Sequence, residues 1–227
     1  MVEEAGRVVA DRLQKLEALR EAGVEPYAYR YDVTHSTTAA RSMFETAETG
    51  GQLDESGESG SVRLGGRLVS LRSHGKTLFA DLADREGRIQ LYFRSRDLGD
   101  RFALLDLFDI GDWVGVEGRV FRTRMGEVTV KVSDFELLAK SVRPLPFGKE
   151  EVDPETGERR VHHGFADIEQ RYRQRYADLA VHPEVRRVFV QRARIVTTIR
   201  RFLDERGFIE VETPILQPLY GGASARP

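Results

Sequence analysis

The chain has 227 residues, of which 40% are hydrophobic and 32% are charged, so it can bury one large core or two small ones. Because 35 Lys and Arg nearly balance 37 Asp and Glu, for a formal net charge of -2, any surface for nucleic acid must be a local patch. The absence of cysteine excludes disulfides, thiolate zinc sites and cysteine nucleophiles.

The start of the chain carries no recognisable targeting signal. The residues from Met1 to Glu4 have no basic flank and no apolar core after them. No apolar run approaches the about 20 residues that a membrane span needs. We therefore expect a cytoplasmic protein without a membrane partner.

An amphipathic helix is predicted between Val8 and Ala22, within an N-terminal helical extension that we assign to residues 1–44. Its apolar residues recur at helical spacing and are Val9, Leu13, Leu16 and Leu19. Gly23 and Pro26 follow as stop signals. The basic residues of this helix form a solvated face if it packs on its own domain. The alternative is that they grip the phosphates of a nucleic acid.

Residues 45–61 consist mainly of Gly, Ser, Glu, Asp and Thr. A segment of this composition buries too little apolar surface to offset the entropy that it loses on ordering. We therefore predict a flexible acidic linker over residues 45–61.

Five strand patterns occupy residues 62–140. The first, Val62 to Arg72, slips phase between Leu68 and Val69, as a strand does at a bulge. The next two, Thr77 to Leu82 and Arg88 to Phe93, are separated by a polar turn. A short helical stretch follows, and then two strands of alternating valines. Five strands with a helix after the third is the order of the OB-fold, a small β-barrel that binds oligonucleotides. A β-sandwich could show the same periods.

The second and third strands place unusual side chains on the face opposite the core. Alternation directs Phe79, Gln90 and Tyr92 away from the apolar set. An exposed aromatic ring beside an amide can stack a base and read its edge. Taken alone, Phe79 could equally be an aromatic side chain packed under a loop.

Beyond residue 140 the pattern becomes helical. Residues 141–166 form a connector rich in Pro, Gly and charge, with His162 and His163 as solvated loop residues. An arginine-rich helical stretch runs from Asp167 to Leu179, and its charges form a solvated or interface face, with phosphate contact as the alternative. Pro183 then opens a long amphipathic helix.

The end of that long helix is followed by a predicted strand. Gly207 is suited to a left-handed helix cap, and the residues from Phe208 to Glu212 alternate until Pro214 stops them. The helix and the sequence Arg206-Gly207-Phe208-Ile209-Glu210-Val211-Glu212-Thr213-Pro214-Ile215-Leu216 resemble motif 1 of the class II aminoacyl-tRNA synthetases.

The resemblance extends over nearly the whole chain. An OB-fold before motif 1 is typical of the lysyl, aspartyl and asparaginyl subgroup. Three further segments resemble the bacterial-type lysyl enzyme, and they are Arg143 to Pro146, Arg171 to Tyr176 and Gly221 to Pro227. The implied fold class is α+β: a five-stranded OB barrel with an N-terminal helix, then the start of an antiparallel α/β catalytic domain at residues 167–227.

The resemblance implies roles for particular residues. Anticodon binding falls on Phe79, which stacks the central base, on Gln90 and Glu127 as polar readers, and on Arg67 as a further contact. The resemblance implies that the RNA is tRNA(Lys), whose anticodon is rich in uridine. The side chains suit uracil, because an amide can donate to a uracil carbonyl and a carboxylate can accept from its N3–H. The homodimer interface of motif 1 falls on Gly207, Phe208 and Pro214, and the border of the lysine pocket on Gly221, Gly222 and Ala223.

The chain departs from the family because motifs 2 and 3 are absent. In the family these motifs hold ATP, lysine and Mg²⁺ through arginine and acidic residues. We therefore expect no catalytic residue and no metal ligand in this chain, and no lysine activation by it alone, although the complete enzyme uses ATP and Mg²⁺. The alternatives are a non-catalytic OB-fold RNA-binding module, or an aspartyl or asparaginyl enzyme.

Overall fold

The computed structural model describes residues 2–152, 159–162 and 165–215. The chain divides into two compact units, Met1–Phe147 and Gly148–Pro227. The helices and strands of the first unit are α1 (Val2–Glu21), α2 (Thr37–Thr49), β1 (Glu58–His74), β2 (Thr77–Ala83), β3 (Arg88–Arg94), α3 (Ser95–Leu98), a 3-10 helix (Gly99–Leu107), β4 (Trp113–Arg122) and β5 (Val128–Ala139).

The five strands of the first unit form a closed barrel in the order β1-β2-β3-β5-β4. The pairs are antiparallel except β3 with β5, which run parallel, and β4 closes the barrel on β1. The helical segment between β3 and β4 lies where the sequence predicts it. The predicted OB-fold barrel is therefore confirmed.

Strict alternation on β2 and β3 fills the barrel interior. Leu78, Ala80 and Leu82 are buried, whereas the residues between them are partly exposed. The register of β1 shifts between Leu68 and Ser70, which confirms the predicted bulge. Gly66 is required beside it, because a Cβ there would lie 2.7 Å from the carbonyl oxygen of Ala83.

The prediction of a flexible linker over residues 45–61 is wrong. Residues 45–49 form the last turn of α2, and residues 58–61 begin β1. Ser36 caps α2 by accepting a hydrogen bond from the amide of Ala39, and Ala40 and Phe44 are fully buried against the barrel. Both apolar anchors lie before residue 45, so the polar composition of residues 45–61 does not reveal that the helix extends into them. The helical extension is thus part of the barrel unit.

Two basic residues of α1, Arg12 and Lys15, contact the rest of the first unit. Arg12 is buried, and its guanidinium donates to the carbonyl oxygens of Ile110 and Ser141 at 3.0 and 2.6 Å. Lys15 forms an ion pair with Asp109 at 2.8 Å. These contacts support the interpretation that α1 packs on its own domain.

The second unit consists of a hairpin and three helices within the described residues. Its elements are β6 (Lys149–Val152), β7 (Arg159–His162), α4 (Ile168–Arg173), α5 (Arg175–Val181) and α6 (Pro183–Asp204). The hairpin corrects the predicted loop: His162 ends β7, whereas His163 lies outside the described residues. The two strands are short and mostly charged, so neither shows the apolar alternation from which a strand is predicted.

The arginine-rich stretch surrounds a buried carboxylate. Asp178 is fully buried, accepts hydrogen bonds from Arg171 at 2.7 Å and from Arg175, and lies 2.8 Å from Nδ1 of His182. Burial raises the pKa of Asp178, but these hydrogen bonds outweigh it, so the pKa lies below its usual value. Two arginines of the run therefore stabilise α4 and α5.

The segment after α6 differs from its prediction. Gly207 has a φ of 78°, which confirms the left-handed residue that ends the helix. Phe208 to Glu212 form no strand, so the predicted strand is wrong for the described part of the chain. A strand is defined by its hydrogen-bonded neighbour, and no described strand of the second unit pairs with these residues.

Candidate nucleic-acid interface

The outer face of β2 and β3 carries Phe79 and Gln90, two of the four residues predicted to bind the anticodon. Phe79 pairs with Tyr92, and Asp81 pairs with Gln90 in the antiparallel register. Side chains of directly opposed residues lie on the same face of a sheet, and the next outward position is two residues away. Phe79 and Gln90 are therefore diagonal neighbours on the surface of the barrel.

Three aromatic rings run across this face, and we call Phe79, Tyr92 and Phe121 the aromatic row. The rings of Phe79 and Tyr92 are stacked, with centroids 4.7 Å apart and planes at 24°. Phe121 follows at 6.1 Å from Tyr92. All three are partly exposed. Phe79 is therefore not fully buried under a loop, and its exposed part offers an aromatic surface on which a base can stack.

Gln90 has a fixed orientation beside the aromatic row. Its Oε1 accepts a hydrogen bond from Oγ1 of Thr129 at 2.9 Å. Because the carbonyl oxygen of the amide is engaged by the protein, the amide nitrogen is turned away and can donate to a ligand. Gln90 is thus arranged as a donor.

Glu127 lies next to the same threonine. Oγ1 of Thr129 is 3.2 Å from the backbone carbonyl of Glu127, so one hydroxyl lies within hydrogen-bond distance of both polar residues. The Glu127 side chain is about half exposed, and its Oε1 lies 3.4 Å from Nη2 of Arg41 on α2. Thr129 therefore links the side chain of Gln90 to the backbone of Glu127, whose carboxylate lies beside Arg41.

Arg67 does not join this group. Its guanidinium donates to the carbonyl oxygen of Gly111 at 3.0 Å and lies over the ring of Trp113, 5.0 Å from the centroid. It is half-buried at the β1–β4 seam, and this burial lowers the pKa of Arg67. The structure gives Arg67 a role in packing at that seam.

Two other arginines lie near the site and were missed by the sequence reasoning. Arg72 pairs directly with Phe79 across β1 and β2, is largely exposed, and lies 3.5 Å from the carboxylate of Asp81. The tight turn at Gly75 sets this register and could have revealed it. Arg41 lies on α2, which the sequence analysis assigned in part to a linker.

The residues predicted for the dimer interface lie on an exposed apolar surface of the second unit. Phe208 and Pro214 are exposed, and a groove between α6 and residues 208–210 is lined by apolar side chains. The apolar side chains are Val196, Ile199, Leu203, Phe208 and Ile209, and the charged residues Arg200, Asp204 and Glu210 complete the lining. The residues predicted to border the lysine pocket, Gly221, Gly222 and Ala223, lie outside the described residues.

Within residues 2–152, 159–162 and 165–215, no group of three or more His, Asp or Glu side chains is arranged to hold a metal ion. None of the helices described there has the length and apolar character needed to cross a membrane.

Comparison with known proteins matches both units. Residues 62–138 match the family described as an OB-fold nucleic acid binding domain, and residues 167–227 match the class II tRNA synthetases (D, K and N). The lysine–tRNA ligase of Moorella thermoacetica is 52% identical over 221 residues, covering 97% of this chain and 40% of that protein.

Two further lysine–tRNA ligases extend the comparison. The enzyme of Carboxydothermus hydrogenoformans is 46% identical over 99% of this chain and 42% of that protein. The enzyme of Methanoculleus marisnigri is 47% identical over 95% of this chain and 39% of that protein. The chain thus spans about two fifths of the length of the curated relatives it matches. These matches confirm the resemblance drawn from the sequence: residues 62–138 match an OB-fold nucleic-acid-binding domain, residues 167–227 match the class II tRNA synthetases, and the chain is similar over nearly its whole length to lysine–tRNA ligases.

Proposed function

We propose that this chain serves a lysine–tRNA ligase, which activates lysine with ATP and transfers it to tRNA(Lys), and that its barrel reads the anticodon. The observation that carries the proposal is the outer face of the barrel, where the aromatic row adjoins a fixed amide and a carboxylate. The names of the relatives supply the amino acid.

The chemistry of this face suits a uridine-rich anticodon. A base can stack on Phe79, the amide nitrogen of Gln90 can donate to a uracil carbonyl, and the carboxylate of Glu127 can accept from N3–H. Cytosine offers an acceptor at N3 in place of that donor, so a carboxylate facing it would be left unpaired. Arg72, beside Phe79, is placed to contact a phosphate. Arg67 has no part in this proposal.

The remaining features of the complete enzyme are also proposals. A second copy would dock on the apolar face of α6 and on residues 207–214, which are exposed in the single chain. We place the protein in the cytoplasm, where tRNA is charged for translation, with neither DNA nor membrane as a partner. ATP and Mg²⁺ would serve the complete enzyme, but the described residues do not form a site for the metal, and no catalytic step is derived from them.

Two alternatives remain distinguishable. A non-catalytic OB-fold module would require neither a long helix with an exposed apolar face nor the class II segment at residues 167–227. An aspartyl or asparaginyl enzyme shares the family description but would prefer different anticodons. Anticodon preference therefore separates the readings.

The test is a titration of the 227-residue chain with a labelled anticodon stem-loop, followed by fluorescence anisotropy. Loops carrying UUU and UCU are compared at one salt concentration, because phosphate contacts make affinity depend on ionic strength. We expect UUU to bind more tightly by about 1–3 kcal/mol, the usual cost of one mismatched base. Equal binding of the two loops would contradict specific reading by this face.

A further inference from the structure

Helix α2 connects the two hairpins that carry the proposed base-reading side chains. At its first turn, the amide and hydroxyl of Thr37 donate to the carboxylate of Asp84 in the β2–β3 turn, at 2.7 and 2.8 Å. At its last turn, Glu48 accepts two hydrogen bonds from Arg122 at the end of β4, at 2.8 and 2.5 Å. The helix is therefore attached at both ends, once to each hairpin.

The middle of α2 is equally constrained. Ala40 and Phe44 are fully buried on the barrel, so the helix cannot roll about its axis without exposing them. Arg41, next to Ala40, extends to the seam between the hairpins. Its Nη2 lies 3.4 Å from Oε1 of Glu127 and 3.5 Å from the carbonyl oxygen of Arg88. One guanidinium thus touches the start of β3 and the residue before β5.

This contact restrains a side chain that would otherwise sample several rotamers. A half-exposed glutamate has three rotatable bonds and gains little from the barrel itself. Binding of one carboxylate oxygen by Arg41 leaves the other oxygen for a ligand and limits the rotamers that the side chain can adopt. A restrained carboxylate also cannot rotate away from the acceptor N3 of a cytosine, so restraint strengthens rejection as well as recognition.

We propose that Arg41 is a positioning residue that sets the preference for uridine by holding the carboxylate of Glu127, with α2 as its rigid support. The inference rests on the proposed function, because it requires the barrel to read an anticodon. Helix α2 thereby has a role in specificity, although it carries none of the base-reading side chains.

The experiment is a double-mutant cycle on the 227-residue chain with Arg41→Ala, Glu127→Gln and the two combined. Stem-loops with UUU and with each uridine changed singly to cytidine are titrated at fixed salt. The position read by Glu127 is the one at which Glu127→Gln reduces the preference for uridine. Arg41→Ala is expected to reduce that same preference by about 1.5-fold to fivefold, the range that an exposed charge pair supplies, and to change nothing further once Glu127 is glutamine.

Two controls exclude simple loss of charge or of fold. Arg20→Ala removes an arginine from an exposed helical ion pair with Glu17 and should leave every loop unchanged. Arg41→Lys retains the positive charge and should recover part of the preference. The melting temperature, followed through the fluorescence of the single tryptophan, Trp113, confirms that each variant is folded.

The outcomes separate the inference from the proposed function. If the wild-type chain prefers no loop, the proposed function fails and the inference fails with it. If the wild type prefers UUU but Arg41→Ala weakens all loops equally and lowers the salt dependence, Arg41 contacts phosphate directly and the inference alone is wrong. An effect of Arg41→Ala that persists with Glu127→Gln, or no effect at all, also overturns it.

Discussion

Truncation of Phe79 tests whether the aromatic row binds a base. The ring packs against Tyr92 at 4.7 Å and remains partly exposed, so Phe79→Ala removes one stacking surface without opening the barrel core. Stacking of a base on an aromatic side chain is worth about 1–3 kcal/mol, which corresponds to a loss of affinity for the UUU loop of about 5-fold to 150-fold. The lost aromatic pair should cost folding roughly 0.5–1.5 kcal/mol.

The assay is anisotropy titration of the UUU loop, with urea unfolding of each variant in parallel. Tyr29→Ala is the matched control, because Tyr29 is an aromatic side chain of the same unit that is fully exposed and lies outside the barrel strands. It should bind as the wild type does. If Phe79→Ala is folded and binds UUU within twofold of the wild type, the assignment of Phe79 as the stacking residue is refuted.

Three further predictions follow from the described contacts. Lys140→Ala should destabilise the first unit by about 3–5 kcal/mol in urea unfolding, because it removes the ammonium group that lies 2.8 Å from the fully buried Asp112. A loss of stability below about 1 kcal/mol would show that the buried pair is dispensable. Burial raises the pKa of Asp84, but hydrogen bonds from Thr37 and Gly87 outweigh burial, so the pKa lies below the ordinary aspartate value of about 3.9. The stabilising effect of Asp84 is therefore complete above that ordinary value and is lost as the pH falls through the lowered pKa. Asp84→Asn should therefore flatten the acid limb of the stability profile, and an unchanged limb would assign it to other carboxylates. Ile199→Glu on the exposed face of α6 should lower the mass found by sedimentation if that face joins two copies, and an unchanged dimer would place the interface elsewhere.

The barrel could be predicted from sequence because its signals are local. Alternation on β2 and β3 depends only on which face is buried, and the phase slip at Leu68 appears directly as a bulge. The same alternation placed Phe79 and Gln90 on one surface. Their geometry follows from strand register, which the turn fixes within a few residues.

The parts that were missed depend on contacts distant in sequence. Helix α2 packs on the barrel through its own Phe44, but its two ends are held by Asp84 and Arg122, which its own sequence does not reveal. Arg67 and Arg72 both lie on β1. Only the closure of β1 on β4, which brings Trp113 beside Arg67, directs that arginine away from the aromatic row.

The absence of a strand after α6 has a similar cause. Phe208 to Glu212 carry the alternation of a strand, yet the described residues of the second unit supply no neighbour for them. Alternation indicates which side chains a strand would place on each face, but a segment becomes a strand only when its backbone is hydrogen-bonded to a neighbouring strand. The exposed apolar residues of α6 and of this segment are the surface against which such a partner would pack.

The central claim is that this barrel reads the lysine anticodon rather than those of its sister enzymes. The most direct measurement compares stem-loops of identical stem carrying UUU, GUU and GUC, the lysine, asparagine and aspartate anticodons, at one salt concentration. The account predicts that UUU binds most tightly and that GUC, which changes two of the three bases, binds most weakly. Tighter binding of GUU or GUC than of UUU would contradict it and assign the chain to another member of the family.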